Sequence, residues 1–444
     1  MRAFVPLALP PANPALSPAL YTDLARLARM SGLVPSLDWL LYNAIRREAL
    51  LTSQIEGTQA TMTDLFDEEA GFKVSNTDDV EEVTHYLRAF RWVQEQLRSP
   101  QGLPISVRLL CEAHRLLLDG ARGAGKQPGG LRRPQNWIGG TRPGNAVFVP
   151  PPPELVHDLL VNVGRFIHDD AQDLPALVKV ALVHAQFETI HPFLDGNGRI
   201  GRLLTAALLE HWGLLSEPLM YLSGYLKQHQ LEYYRRLPAT RADSDWESWV
   251  VFFREGVASA AGSAERNIIK VTSLVAADRK RLLQSPKAGP ASYRLFELLP
   301  MMPRFTIERV RQQLDTSFPT ATAAVKVLEA LGIVTEIAGQ KSTAATATRL
   351  TWNCCRVNGN GRLGPYAYWR IRSACSADTT CASSYVINSE PTVVNKAYPP
   401  AMRQSCDPKA HRALSLHQVP RLHKNSAPLF AKRSVHAEVR ASDP

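Results

Sequence analysis

Twelve consecutive residues, 191–202, contain the side chains needed to hold a phosphate group and transfer it. The segment reads HPFLDGNGRIGR, with one imidazole, one carboxylate, glycines on both sides of an asparagine, and two arginines. Histidine titrates near neutral pH and can take a proton from a hydroxyl. A carboxylate is an oxygen ligand suited to Mg²⁺ that bridges phosphates, and arginine binds phosphate oxygens in a bidentate way. The segment therefore predicts phosphate chemistry.

The backbone of this segment is predicted to form an anion-binding cradle. It lies between two predicted helices, the second of which begins near Gly198. A helix N-terminus presents unpaired N–H groups and a partial positive charge. Gly196 and Gly198 let the backbone approach a ligand closely, and Asn197 adds a side-chain donor. These features predict a site for phosphate oxygens.

Each part of the segment has an ordinary structural interpretation when it stands alone. A His-Pro pair is typical of a turn, and Gly-Asn-Gly is typical of a loop. The presence of Asp195, Arg199 and Arg202 at these spacings favours function instead. His191 is then the candidate base and Asp195 the candidate magnesium ligand.

The segment matches every fixed position of the Fic family motif, His-x-Phe-x-Asp/Glu-Gly-Asn-Gly-Arg-x-x-Arg. The chain thus resembles Fic (Fido) protein adenylyltransferases, which transfer AMP from ATP to a Ser, Thr or Tyr hydroxyl of a protein and release pyrophosphate. The resemblance implies ATP and Mg²⁺ as cofactors, His191 as the base and Asp195 as the metal ligand. The family branch that phosphorylates its target has Lys in place of Gly198, which argues against kinase chemistry. The residues of the motif expected to bind the nucleotide are Gly196, Asn197, Gly198, Arg199, Ile200, Gly201 and Arg202.

A second motif precedes the first one in the chain. Residues 52–57, TSQIEG, resemble the inhibitory helix of the family, Ser/Thr-x-x-x-Glu-Gly/Asn. The resemblance implies that Glu56 pairs with Arg202 and occupies the guanidinium that would hold the terminal phosphate of ATP. A Thr and a Glu at this spacing are by themselves typical of a solvated helix face. With the catalytic motif present, we expect inhibition.

Two further segments resemble parts of the family's substrate site. Residues 132–140 (RRPQNWIGG) and 145–153 (NAVFVPPPP) resemble the flap, whose exposed strand would hold a target segment by backbone pairing. A plain surface hairpin is the alternative interpretation. Residues 221–234 resemble the segment that meets the base and ribose, and Gln228 stands where the family usually has Asn. We expect Gln228 to contact the nucleotide.

Several tempting residues have a simpler interpretation. His184 and Glu188 are spaced as i and i+4 on a helix and could be metal ligands, but a histidine satisfied inside a buried helix is preferred. The pair His211-Trp212 is interpreted as helix-end packing, and Cys111 as a core residue.

The composition is that of a globular protein with a basic C-terminal part. The chain has 444 residues, 45% apolar and 21% charged, with a formal net charge of +10. Residues 342–444 hold 14 Lys or Arg and 5 Asp or Glu, so nine of the ten net charges lie there. The preceding part has Cys111 as its only cysteine, which favours a reducing compartment. An N-terminus interrupted by prolines predicts no signal peptide, and the lack of a long apolar run predicts no membrane span, so we expect a cytoplasmic protein.

Hydrophobic periodicity predicts a mainly α fold. It comprises a Fido helical bundle with a small β-hairpin flap, followed by a winged helix-turn-helix. The predicted divisions are an N-terminal helical region with the inhibitory helix (1–105), a Fic catalytic domain (106–255), and a linker helix with a winged-helix domain (256–341). Because periodicity ends at Lys341, we expect an incomplete wing and a disordered or aberrant basic tail (342–444), with a frameshift as the hypothesis for its origin.

Three questions about function stay open at this level. The reverse reaction, removal of AMP from a modified protein, would use the same residues. A DNA-binding regulator acting through the winged helix is a different class, although the third helix of that domain offers only Lys326 as a cation. Family members often form dimers, so a homodimer is one expected partner besides the protein substrate with its acceptor hydroxyl.

Overall fold

The computed structural model describes residues 3–11, 37–120, 124–171, 173–337 and 350–352. The described part is mainly helical, which confirms the predicted fold class. The helices are α1 (Leu37–Ile55), α2 (Met62–Glu69), α3 (Thr77–Arg98), α4 (Val107–Leu117), α5 (Pro153–Ile167), α6 (Ala176–Ile190), α7 (Asn197–His211), α8 (Leu222–Gln228), α9 (Gln230–Ala242), α10 (Trp246–Leu283), α11 (Pro290–Leu298), α12 (Ile307–Leu314) and α13 (Phe318–Ala330).

Helix α6 lies at the centre of the larger core. Every residue from Leu177 to Ile190 is buried, so the prediction of a central buried helix is confirmed. The helix is apolar on most sides and therefore has no face suited to water. It packs against α5, α7, α9 and α10. This environment fixes the position of its C-terminal end, where His191 follows.

The long helix α10 belongs to two hydrophobic cores. Its first half buries residues such as Trp249 and Phe253 in the larger core. Its second half buries Val275 and Leu282 in a smaller core shared with α11, α12 and α13. The predicted domain boundary after residue 255 therefore falls inside one continuous helix, and that boundary stays a prediction.

The smaller core includes a three-stranded sheet. Strands β1 (Arg304–Phe305), β2 (Val334–Glu336) and β3 (Leu350–Trp352) are ordered β1-β3-β2, and β3 is antiparallel to both neighbours. The prediction that the wing lacks its further strand is therefore wrong. Three residues are too few to show a periodic pattern, so the sequence could not reveal this strand; its backbone pairing with β1 and β2 defines it. The winged-helix assignment itself stays a prediction.

Some predictions fall outside the described residues. These are residues 12–36 of the predicted N-terminal helical region and the nature of the chain after residue 352, including the frameshift hypothesis. In the part of the chain that the structure describes, no helix combines the length and the apolar character needed to cross a bilayer.

Candidate active site

His191 occupies the turn directly after α6. Its backbone is left-handed, with φ 50° and ψ 62°, and its N–H donates to the Phe187 carbonyl at 2.9 Å. This conformation is uncommon for a residue with a side chain and needs support from its surroundings. Arg132 provides that support: its Nε donates to the His191 carbonyl at 2.9 Å and its Nη2 to the Pro151 carbonyl at 2.5 Å. The flap segment and the catalytic turn are thus joined through one buried arginine.

The His191 ring is neutral near pH 7. Burial lowers its pKa to about 3, and the positive charges of Arg241 and Arg132 act in the same direction. The Glu188 carbonyl and Asp195 oppose the shift in part. Nδ1 is buried, with no partner in hydrogen-bonding geometry among the described residues. The ring therefore offers an unprotonated nitrogen whose basicity depends on nearby charge.

The turn before α7 has the geometry of an anion cradle. Gly196 precedes the helix with φ 74°, a backbone conformation that favours glycine, and α7 begins at Asn197. The Asn197 amide does not act as the free donor that the sequence predicted. Its Oδ1 accepts from Phe193 N–H and its Nδ2 donates to the Phe193 carbonyl, both at 2.8 Å. The side chain closes the loop, so the backbone N–H groups of the first turn of α7 are the donors left for a ligand.

Two other residues of the motif serve packing. Ile200 has no exposed surface and lies in the larger core. A Cβ at Gly201 would lie 2.5 Å from Glu188 Oε1, so this glycine makes room for a buried carboxyl group. Neither side chain supports the predicted contact with a nucleotide.

Asp195 presents a partly open carboxylate. Its side chain is 47% exposed and its Oδ1 accepts the Gly196 N–H at 2.6 Å. Within the described residues no group of three or more His, Cys, Asp or Glu is arranged to hold a metal. A lone carboxylate nevertheless fits Mg²⁺, because that ion is commonly held by one or two carboxylates together with substrate phosphates and water. The residues present therefore fit the expected ion.

His114 fixes the loop from beneath, a role that sequence analysis missed. Its ring stacks on Phe193 with centroids 3.8 Å apart. Gly129 N–H donates to Nδ1 at 3.0 Å, so the ring proton is on Nε2, which lies 3.1 Å from the Asp195 carbonyl and donates to it. Burial lowers the pKa of His114 to about 4, which keeps this single tautomer at neutral pH.

Arg202 is held by the end of α1, as the sequence predicted. Its Nε donates to Thr52 Oγ1 at 2.5 Å, and its Nη2 donates both to the Thr52 carbonyl at 3.2 Å and to Glu56 Oε1. Burial alone would lower the pKa of Arg202, but Glu56 outweighs it and the pKa is raised. A Cβ at Gly198 would collide with Glu56 Oε1, so glycine is needed for this approach. Helix α1 ends at Ile55, and Glu56 lies in the turn that follows.

Arg199 has a different glutamate partner, which the sequence did not indicate. Its Nη1 donates to Glu82 Oε1 of α3 at 2.7 Å, while its Nη2 lies 3.7 Å from Asp195 Oδ1. The Arg199 side chain is only 6% exposed, so it is a buried cation with a carboxylate on either side. Both motif arginines are therefore paired with acids from the region before residue 105.

A buried glutamate, Glu188, and a largely buried arginine, Arg241, lie behind the site. Burial raises the pKa of Glu188 to about 7; Arg202 and Arg241 oppose this shift and Glu56 adds to it. Arg241 donates from Nε to Thr189 Oγ1 at 3.0 Å, and burial lowers its pKa to about 10. The sequence offered Glu188 only as a possible metal ligand together with His184, an interpretation that was not preferred. Its buried Oε1 has no hydrogen-bond partner in the described part of the chain.

The flap is a narrow hairpin with an exposed tip. An isolated antiparallel bridge joins Ile138 and Phe148, with Ile138 N–H donating to the Phe148 carbonyl at 2.8 Å. Val147 is exposed, and Arg241 stacks over the Phe148 ring at 3.9 Å from its centroid. Phe4 N–H donates to the Val149 carbonyl at 3.0 Å, which adds the N-terminal segment to one side of the hairpin.

Two other residues that the sequence singled out, Gln228 and His184, differ in their surroundings. Gln228 is the last residue of α8 and its side chain is exposed, so its contact with the nucleotide stays a prediction. His184 is buried, with Nδ1 3.0 Å from Thr205 Oγ1 and Nε2 2.9 Å from the Tyr233 hydroxyl, which supports its structural interpretation.

Comparison with known proteins identifies the family. Residues 15–95 match the description of the Fic/DOC family N-terminal region, and residues 104–209 match that of the Fic/DOC family. These two segments of the chain, 15–95 and 104–209, belong to the Fic/DOC family. Both motif arginines and both of their glutamate partners lie within these matched ranges.

Named relatives of this Fic/DOC chain are similar to it over limited segments. A protein of Aquifex aeolicus (strain VF5) named probable protein adenylyltransferase is 37% identical over 89 residues, which cover 20% of this chain and 26% of that protein. Protein adenylyltransferase Fic of Drosophila grimshawi is 33% identical over 143 residues, 31% of this chain and 26% of that protein. The chain thus spans about a quarter of the length of these relatives.

Two solved Fic structures are also similar. A Fic family protein from Desulfovibrio desulfuricans G20 is 20% identical with a TM-score of 0.48, covering 79% of this chain and 100% of that one. Fic-1 from C. elegans is 20% identical with a TM-score of 0.46, covering 57% of this chain and 72% of that one.

Proposed function

We propose that this Fic/DOC protein transfers AMP from ATP to a Ser, Thr or Tyr hydroxyl of a protein, including itself, and that Glu56 inhibits the transfer. The observation that carries the proposal is the engagement of Arg202 by Glu56 at the rim of the α7 cradle, next to the His191 turn. The names of the relatives agree with this activity.

His191 acts as the general base. The acceptor hydroxyl gives its proton to Nε2 while its oxygen bonds to the α-phosphorus of ATP; the bond from that phosphorus to the bridging oxygen breaks, and pyrophosphate leaves. The low pKa keeps the ring neutral before ATP arrives, and with its single proton on Nδ1 the ring has Nε2 unprotonated. Phosphate anions bound nearby offset the charges of Arg132 and Arg241 and therefore raise the basicity of the ring when it is needed.

The cradle and the two arginines bind the phosphates. The first N–H groups of α7 provide fixed donors that need no reorganisation, and the helix dipole adds partial positive charge. Asp195 would hold Mg²⁺, which supplies charge neutralisation to the phosphates when bound. Its half-exposed carboxylate leaves room for solvent and phosphate ligands.

Inhibition follows from competition for Arg202. The guanidinium donates to Thr52 and Glu56 with both Nε and Nη2, so a γ-phosphate must displace Glu56 to reach it. A carboxylate and a phosphate oxygen cannot share the position without repulsion. ATP that binds while Glu56 remains in place is held in an unproductive geometry.

The flap orients the protein substrate. Backbone groups on the open side of the Ile138–Phe148 hairpin can pair with an extended target segment without reading its side chains. Arg132 connects the hairpin to the His191 carbonyl, so a segment bound there has a defined position relative to the base.

Transfer of labelled AMP tests the proposal. Purified native protein, Glu56→Gly and the double variant Glu56→Gly/His191→Ala are incubated with α-labelled ATP and Mg²⁺, alone and with a cell lysate. We expect weak labelling by native protein, strong self-labelling by Glu56→Gly, and none by Glu56→Gly/His191→Ala. Equal labelling with and without His191 would exclude it as the base, and an inactive Glu56→Gly would exclude the activity.

One observation also favours the reverse reaction. Glu56 is 34% exposed and Arg202 engages only its Oε1, so Oε2 is free among the described contacts to orient a water molecule. Such a water would attack the phosphorus of an adenylylated protein and release AMP. Native protein should then remove labelled AMP from a protein that Glu56→Gly has modified, whereas Glu56→Gly itself should not.

A further inference from the structure

The contact between Arg199 and Glu82 differs from the proposed inhibitory pair in its setting. Glu82 lies inside α3, a helix of 22 residues, and its neighbours Val80 and Val83 are buried. Moving its backbone away would expose this packed apolar face to water, which is unfavourable. Glu82 is therefore a fixed counter-ion of Arg199.

The pair also sets the direction of the guanidinium. Glu82 Oε1 accepts a hydrogen bond from Arg199 Nη1 at 2.7 Å. The other terminal nitrogen, Nη2, points towards the cradle. It lies 3.7 Å from Asp195 Oδ1 and 3.7 Å from the position that a Cβ on Gly196 would occupy. A buried arginine without such a partner would be an uncompensated charge and would seek another acceptor. Asp195 lies 3.7 Å from Nη2, and capture of the guanidinium by Asp195 would occupy the candidate magnesium ligand.

We propose that Glu82 is a positioning residue that directs the Arg199 guanidinium towards the β-phosphate of ATP. This is the first phosphate of the departing pyrophosphate. It keeps Nη1 on α3, leaves Nη2 for the ligand, and keeps Asp195 available for Mg²⁺. The inference rests on the proposed function, because it assigns a phosphate to the site described there. Glu82 itself touches no substrate.

The test compares nucleotides that do and do not have the phosphate in question. In the Glu56→Gly background, ADP and AMP affinities are measured by calorimetry for Glu82→Ala and for the control Glu81→Gln. Glu81 is the neighbouring acid on α3, more than half exposed and 3.7 Å from His85. We expect Glu82→Ala to weaken ADP binding about 10-fold and to leave AMP binding unchanged, because only ADP reaches Arg199; a charge-assisted hydrogen bond is worth about that factor. Glu81→Gln should change neither affinity.

A double-mutant cycle separates positioning from general damage. In an Arg199→Ala background, Glu82→Ala should have no further effect on ADP affinity, since the residue through which it acts is gone. Glu82→Asp, which keeps the charge on a shorter arm, should recover part of the ADP affinity. Equal losses for ADP and AMP, an unchanged ADP affinity, or an additive loss in the Arg199→Ala background would each overturn the inference.

A readout without nucleotide keeps the inference separate from the proposed function. The order parameter of the Arg199 Nε–H bond, measured by ¹⁵N relaxation on the apo protein, should fall in Glu82→Ala and stay the same in Glu81→Gln. An unchanged order parameter would overturn the positioning role whatever the enzyme does. Failure of Glu56→Gly to bind or use ATP, with the order parameter lowered as expected, would count against the proposed function alone.

Discussion

The two arginines of the motif meet two glutamates in contrasting ways. Arg202 meets Glu56, which follows the last residue of α1 in a turn where Gly57 has φ 104°. Arg199 meets Glu82, which lies in the second turn of α3, where Val80 and Val83 are buried. Glu56 is 34% exposed and Glu82 is 20% exposed. A carboxylate at the frayed end of a helix can leave at small cost, whereas one inside a packed helix cannot.

This contrast suggests a division of labour. The pair at the helix end is suited to a gate that opens for the terminal phosphate. The pair in the helix interior is suited to a permanent support that holds a guanidinium in place. The same two residue types therefore act differently because the backbone beneath them differs in freedom.

The largest expected effect comes from removing the proposed base, His191. Without it no transfer occurs for the Glu56–Arg202 and Glu82–Arg199 pairs to influence. His191→Ala in the Glu56→Gly background should reduce AMP transfer about 100-fold to 10,000-fold, the usual contribution of a positioned base. ATP affinity, measured by calorimetry, should change little, since the ring contributes a nitrogen and not a phosphate contact. A large loss of ATP binding together with transfer would show that the residue holds the turn and not the proton.

The next effect concerns the charge of the gate. Glu56→Gln keeps the size of the side chain and removes its negative charge, so self-adenylylation should rise about 10-fold, less than in Glu56→Gly. The rate of label incorporation into the protein itself measures this. The matched change Glu82→Gln should not activate; activation of similar size in both variants would erase the distinction between gate and support.

A third prediction concerns Glu188, the buried carboxyl group whose pKa is affected by both Glu56 and Arg202. Its pKa is raised to about 7 in the folded protein and is near 4.5 in an unfolded chain. The folded state therefore binds the proton more tightly, and stability is lost as pH rises between those values. Glu188→Gln lacks this loss, so its advantage in free energy of unfolding over native protein should grow by about 1–3 kcal/mol from pH 4.5 to pH 8.

Urea unfolding at the two pH values gives that difference. Because Glu56 contributes to raising the pKa of Glu188, the pH dependence should be smaller in Glu56→Gly. A constant difference between Glu188→Gln and native protein at both pH values would contradict the assignment.

The smallest effect tests the other contact of Arg202. Thr52→Val removes the Oγ1 acceptor at 2.5 Å and leaves a buried Nε without a partner. We expect a loss of about 1–2 kcal/mol in the free energy of unfolding and activation of only a few-fold, since Glu56 still holds Nη2. Activation equal to that of Glu56→Gln would place the inhibitory energy on Thr52 instead.

Sequence reasoning succeeded for elements defined by contiguous residues. The helix predicted to begin near Gly198 begins at Asn197, because the glycine turn and the apolar pattern after it are local signals. For Asn197 and Ile200 the sequence did not indicate where the side chains lie: the Asn197 amide closes its own loop and Ile200 packs in the core, so their contact with the nucleotide stays a prediction. Neighbouring positions of a helix point to different faces, so membership of a motif does not imply contact with a ligand. Strand β3 was missed because three residues carry no periodic signal.

The sequence by itself determined the local device: a histidine at the end of a buried helix, a glycine turn, and a helix start with two arginines one turn apart. These features follow from contiguous residues and short-range backbone geometry. Only the tertiary structure decided which other side chains contact those two arginines and that histidine. Glu82, Arg132, His114 and Arg241 reach the site from other segments of the chain. Their roles depend on how helices pack, and packing is decided by the summed burial of many side chains and not by the residues that do the chemistry.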